Sequence, residues 1–121
     1  MYEYRARIVR VIDGDTVEAE VDLGFHISSR MMLRLFGIDT PEIKGPTRPA
    51  GLSARDYLQH LIQTHTNSTG QLTIRTQKDA TEKYGRCLAT LIAGDVNLNE
   101  IIVTDNPAAF FVDHWQRGRT R

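Results

Sequence analysis

Between Thr16 and Leu23 the chain alternates without a break, Val17, Ala19, Val21 and Leu23 on one side against Thr16, Glu18, Glu20 and Asp22 on the other. Successive side chains of an extended chain point to opposite faces, so a period of two predicts a strand with one face in a core and one in water. The preceding residues, Tyr2–Ile12, are rich in β-favouring types and repeat Tyr4, Ala6 and Ile8 at the same short period, which predicts a partner strand. Asp13-Gly14-Asp15 between them is turn chemistry and closes the pair as a tight hairpin. Gly24–Ser29 reads as a loop. A third strand is predicted over Arg30–Ile38, dense in Met, Leu and Phe and ending at Gly37–Asp39. A loop from Pro41 to about Pro49, holding three prolines and Gly45, follows it.

The period then changes. Ala54, Tyr57, Leu58, Leu61 and Ile62 recur at helical spacing, and Ser53 with Asp56 resembles a capping box, so a helix is predicted to begin there. Asn67–Gly70 is a polar break. Leu72–Ile74 marks a fourth strand, Lys78–Gly85 a charged connection and Cys87–Ile92 a fifth strand. Asn97, with Glu100 three residues on, starts a second helix whose buried side is Leu98, Ile101 and Ile102. Beyond Asn106-Pro107 the tail is mixed and suits a short helix carrying Phe110, Phe111 and Trp115, as core or lid residues. Three strands, a helix, two strands and a helix predict a mainly β, α+β protein. The matching architecture is the five-stranded Greek-key barrel called the OB-fold, with two or three packed helices. A sandwich needs more strands, and a parallel α/β fold alternates strands with helices.

A chain of 121 residues has room for one core, so residues 1–121 are expected to form a single domain, and a monomer. Its 40% hydrophobic and 25% charged content is ordinary for a soluble protein. No apolar run approaches the roughly 18 residues of a membrane span, so no membrane partner is expected. The N-terminus lacks a signal peptide's apolar core, and the chain as given is expected to be intracellular; a secreted form would require a leader already removed. One cysteine, Cys87, excludes an internal disulfide. Fifteen basic against fifteen acidic residues give no support to general adhesion to nucleic acid through bulk charge, although a phosphate-handling enzyme needs positive charge only where the phosphate sits.

The chemistry-bearing residues lie in the connections. Asp13 and Asp15 flank Gly14, and the third strand delivers Asp39 and Thr40 into a loop stiffened by Pro41. Two carboxylates and a backbone carbonyl, completed by waters, suit a calcium ion, and magnesium or manganese share the preference for oxygen. Glu42, three residues past Asp39, is placed to orient or deprotonate a water in that shell. Arg34 sits between Leu33 and Leu35, and Arg86 follows Gly85 just before the fifth strand. A guanidinium can grip a phosphate through two parallel hydrogen bonds. Each residue has a plain alternative: Asp-Gly is common in hairpins, Glu42 could be a solvated loop acid, Arg34 an outward-facing charge and Arg86 a surface charge. Together, in this order, they form the kit of a metal-assisted phosphodiester hydrolase. His26, His60, His65 and His114 lack metal-ligand spacing, and no Ser-His-Asp or Cys-His arrangement is present. Arg117, Arg119 and Arg121 form a basic tail.

Three segments carry a resemblance: Val11-Ile12-Asp13-Gly14-Asp15-Thr16-Val17, Arg34-Leu35-Phe36-Gly37-Ile38-Asp39-Thr40-Pro41-Glu42 and Glu82-Lys83-Tyr84-Gly85-Arg86, with Asn97-Leu98-Asn99-Glu100 as a weaker fourth. With them the chain, from about Tyr4 to Val103, resembles the staphylococcal nuclease (thermonuclease) family, and the tail over 104–121 diverges. The resemblance implies an OB-fold barrel and a calcium-dependent nuclease that cuts DNA and RNA at the P–O5′ bond to leave 3′-phosphates. By matching position, it implies Asp15, Asp39 and the Thr40 carbonyl as calcium ligands. It also implies Glu42 acting on the water, Arg34 and Arg86 holding the scissile phosphate, and Asp13 as an acid close to the metal. Secreted members of the well-known type are strongly basic and end in a third long helix; this sequence has zero formal net charge, and a short tail is expected in place of that helix. Some similar domains have lost the catalytic set and serve as nucleic-acid- or protein-binding barrels, which is the alternative function.

Overall fold

Strand β2 (Thr16–Gly24) carries the alternation of the sequence directly into the fold, with Val17, Ala19 and Val21 buried and Glu20 and Asp22 facing outward. The computed structural model describes residues 2–81, 86–105 and 112–113, with 77–81 and 112–113 by backbone alone. β2 pairs antiparallel with β1 (Tyr2–Asp13) on one side and with β3 (Ile27–Leu35) on the other. β1 pairs on its free edge with β5 (Gln71–Thr81), and β5 with β6 (Cys87–Ala93), all antiparallel. A parallel pairing of β3 with β6, through Leu33–Cys87, Arg34–Leu88 and Leu35–Ala89, closes these five strands into the predicted OB-fold barrel. Closure removes the unpaired edges that an open sheet would present.

Helix α1 (Arg48–His65) packs Gly51, Ala54, Leu58, Leu61 and Ile62 against the barrel, and helix α2 (Leu98–Asp105) adds Leu98 and Ile102. Leu33, Leu35, Leu58, Leu91, Leu98 and Ile102 are all fully buried, and each contributes roughly 1.5–3 kcal/mol by leaving water. Two-residue strands β4 (Ile38–Asp39), β7 (Val96–Asn97) and β8 (Val112–Asp113) complete the structure, β4 pairing with β8 and β7 with β6. No helix among the described residues is long and apolar enough to cross a membrane.

Four local expectations are corrected. Gly24–Ser29 is a two-residue turn rather than a loop, because Phe25 and His26 both adopt left-handed backbone, φ 55° and 61°. That is the geometry of tight hairpins, written here without the Asn-Gly pair that usually announces it. The third strand accordingly begins at Ile27, and a turn at Phe36-Gly37 separates it from β4. Helix α1 starts at Arg48 rather than near Ser53. Pro49 occupies its first turn, where a missing N–H costs nothing, and Thr47 Oγ1 donates to the Glu42 and Lys44 carbonyls instead of capping the helix. β5 runs on to Thr81, through part of the predicted charged connection, held by a Thr81–Cys87 pairing that needs no apolar side chain. Asn97, by contrast, starts α2 as predicted: its Oδ1 accepts from the Glu100 amide at 3.0 Å. Phe110, Phe111 and Trp115 lie outside the described residues, and Val112–Asp113 between them is strand.

Candidate active site

Thr16 of β2 pairs with Arg34 of β3, and both belong to the outward parity of their strands, opposite the core residues Val17, Leu33 and Leu35. Outward does not mean solvated here. Thr16 is 2% exposed and Asp15 is 5% exposed, because the chain after β3 folds back over them. The Leu35 amide donates to the Asp15 carbonyl at 2.8 Å, and the Thr40 amide and hydroxyl donate to Asp15 Oδ2 at 3.0 and 3.3 Å. Arg34 joins the two connections. Its Nη2 lies 3.3 Å from Asp15 Oδ2 and 3.1 Å from Asp39 Oδ1, and it donates to the Ile38 carbonyl at 2.9 Å. One guanidinium nitrogen therefore straddles carboxylates from two separate loops.

Arg86 enters through a hydroxyl. Its Nη1 donates to Thr16 Oγ1 at 3.0 Å, and Thr16 Oγ1 donates to Asp15 Oδ1 at 3.0 Å. Asp13 holds the start of the turn, its Oδ1 accepting from the Asp15 amide at 3.1 Å. Of the residues singled out in the sequence, Asp15, Arg34, Asp39, Thr40 and Arg86 are thus brought into one network. It is the amide and hydroxyl of Thr40, not its carbonyl, that touch Asp15. Glu42 stands outside the network: its carboxylate is 71% exposed and faces Lys44 Nζ at 3.5 Å. Its main chain is fixed, with the carbonyl taking the Thr47 hydroxyl at 2.7 Å.

Sequence reading placed three residues in its motifs without a role, and they hold this arrangement. Thr16 has been described. Gly14 lies so close to its neighbours that a Cβ would stand 2.7 Å from Ala54 Cβ and 2.7 Å from Thr40 Cγ2. The buried Asn99 of α2 takes the Leu91 amide at 3.0 Å and donates to the Phe36 carbonyl at 3.0 Å, tying the turn before β4 to the barrel. The Asp-Gly-Asp and Asn-Leu-Asn-Glu motifs contain Gly14 and Asn99, but only packing shows what each touches. We expect Gly14→Ala to push Thr40 off Asp15 and cost roughly 1–3 kcal/mol. Chemical unfolding checks this, and a stability equal to the parent's contradicts it.

Burial pushes the Asp15 carboxyl up from 3.8 to about 6; the hydrogen bond and charge of Asp13 add to the rise, while Arg34 and the Thr40 amide oppose it. Ionised Asp15 is therefore short of solvation where it lies, although Arg34 and the Thr40 amide favour its charged form. That chemistry fits a hard divalent cation, which takes carboxylate oxygens and does not require a third acid if carbonyl and water complete its shell. Among the described residues no group of three or more His, Cys, Asp or Glu is gathered, so two carboxylates would be the charged ligands.

A closed OB-fold barrel with paired acids and two guanidinium groups on its outer wall defines the architecture. The sequence matches the family model described as "Staphylococcal nuclease homologue" over residues 32–120. The chain belongs to the staphylococcal nuclease family. Among curated relatives, it is 30% identical over 109 residues to the thermonuclease of Staphylococcus hyicus, covering 88% of this chain and 59% of that one. The thermonuclease of Staphylococcus intermedius is 33% identical over 95 residues, covering 76% and 51% of the two chains. An uncharacterized protein of Methanocaldococcus jannaschii is 24% identical over 136 residues, covering 93% and 62%. The chain thus spans between half and two thirds of the length of these relatives.

Proposed function

We propose that this protein is a calcium-dependent phosphodiesterase that hydrolyses DNA and/or RNA at the P–O5′ bond to leave 3′-phosphate ends. The observation that carries the proposal is Arg34 Nη2 straddling Asp15 and Asp39 within 3.3 Å of each. Asp15 and Asp39, with the Thr40 carbonyl, would hold the cation, which would supply positive charge toward the phosphate and lower the pKa of a bound water. The thermonuclease relatives support the same reaction class.

Each side chain then has a role. Arg34 compensates the two acids, 3.3 and 3.1 Å from Asp15 and Asp39; were a cation to take over that charge, its guanidinium would be free to grip a phosphate oxygen pair. Arg86, which immediately precedes β6 and is seated on Thr16, would approach the same phosphate. Guanidinium groups aimed at the phosphate favour the charge that builds on the equatorial oxygens, worth about 3–4 kcal/mol of barrier per donor. Glu42 projects into solvent from a pinned backbone three residues beyond Asp39, where its carboxylate can turn inward to take a proton from the attacking water.

The test is one incubation of plasmid DNA and of RNA, with calcium and with a chelator, followed by end-group analysis. Digestion that needs the ion and leaves 3′-phosphates is expected. Binding of either polymer without cutting at any calcium concentration would instead identify a non-catalytic barrel.

A further inference from the structure

We propose that Thr16 is a positioning residue: its hydroxyl transmits the placement of Arg86 to the metal-holding Asp15, so the phosphate grip and the cation site are one linked device. The inference rests on the function proposed above. Its basis is the hydrogen-bond inventory of a single atom. A guanidinium can only donate, so Thr16 Oγ1 must accept from Arg86 Nη1, at 3.0 Å. The hydroxyl's one proton is then left for Asp15 Oδ1, also at 3.0 Å. Arg86 fills an acceptor site on Thr16 Oγ1 while Asp15 takes its proton, so the hydroxyl is held from both sides and ties the position of the guanidinium to that of the carboxylate.

The surroundings make the direction hold. Thr16 is 2% exposed, which leaves little access for water to replace either partner. The residue lies in the register pair Thr16–Arg34, so its backbone is fixed by the strand that also carries the first guanidinium. Asp15 Oδ2 is occupied by the Thr40 amide and hydroxyl, so Thr16 fixes the carboxylate through its other oxygen, Oδ1. A carboxylate gripped at both oxygens presents its remaining lone pairs in one orientation. Partners of this kind, one step away from a metal, commonly change affinity 10- to 100-fold when removed.

The experiment titrates calcium alone into the full chain by calorimetry, for the parent, Thr16→Val, Thr16→Ser, Arg86→Ala and the Thr16→Val/Arg86→Ala double variant. Valine keeps the branched shape without the hydroxyl, and serine keeps the hydroxyl. Thr16→Val is expected to weaken calcium binding about tenfold, with Thr16→Ser within about threefold of the parent. Arg86→Ala is expected to weaken it as well, and the double variant to be no weaker than Thr16→Val, because both substitutions break one relay. Equal affinity in Thr16→Val and parent, an equal loss in Thr16→Ser, or additive losses in the double variant would each overturn the relay while leaving the metal site standing. A parent that binds no calcium would overturn the proposed function itself, and the relay with it. Should Thr16→Val fail to fold, Arg86→Ala decides: unchanged affinity rejects the relay, weakened affinity supports it.

Discussion

Arg34→Ala is expected to slow hydrolysis of single-stranded DNA by about a thousandfold or more, and also to destabilise the metal-free protein by about 3 kcal/mol. The two effects have one origin. In the proposed mechanism Arg34 would supply a donor for the phosphate, and without it Asp15, with a side chain only 7% exposed, loses the guanidinium it shares with Asp39. The stability figure sits at the low end for a broken buried pair because Asp39 is 43% exposed and water screens part of its charge. Calcium should restore stability in this variant, since an ion between the acids replaces the missing positive charge, while leaving the activity lost. Steady-state kinetics and thermal unfolding, each with and without calcium, separate these effects. Parent-like hydrolysis, or an unfolding midpoint that calcium leaves unmoved, would contradict the expectation.

Asp15→Asn is expected to give the opposite pairing of effects: hydrolysis falls about a thousandfold or more, yet the metal-free protein becomes more stable at neutral pH. The sign follows from the carboxyl. Its pKa is raised in the fold from 3.8 to about 6, so the folded chain holds the proton more tightly than the unfolded chain. Below about pH 4 both forms are protonated and no penalty exists. As pH rises through about 6 the unfolded chain has already ionised, and the fold must follow at a cost of about 3 kcal/mol. The metal-free parent therefore loses stability between about pH 4 and pH 6, and asparagine, which cannot ionise, escapes that loss. Unfolding curves across this range for parent and variant test the claim. A parallel pH dependence in the two proteins would show that Asp15 carries no such penalty.

Much of this was legible in the residues themselves, for reasons particular to each element. β2 showed itself because one face meets the core and the other meets water, which writes a period of two into Thr16–Leu23. The Asn97 start of α2 was legible because capping is a local side-chain contact. The early start of α1 was hidden, since its first turn buries little and Ser53–Asp56 imitates a cap. The length of β5 was hidden because backbone pairing at Thr81 leaves no hydrophobic trace. The Phe25-His26 turn uses a backbone conformation that its residue types do not advertise.

The site divides in the same way. The identities of Asp15, Arg34, Asp39, Thr40 and Arg86 followed from motif and chemical type, but their connections did not. That Arg34 is covered although outward-facing depends on the Phe36-Gly37 turn carrying Ile38 and Asp39 back over β3. That Arg86 reaches Asp15 through Thr16 joins residues 70 positions apart, a distance no local pattern encodes. Glu42 is legible as a residue type in the right loop, and its exposed pairing with Lys44 is a feature of the folded chain alone.

Crystals of the parent soaked in calcium test the central claim most directly. The account predicts one ion bound to carboxylate oxygens of both Asp15 and Asp39 at about 2.3–2.6 Å, with Arg34 turned away from the pair. A structure in which the soak leaves Arg34 between the two acids, with calcium absent or bound elsewhere, would contradict it.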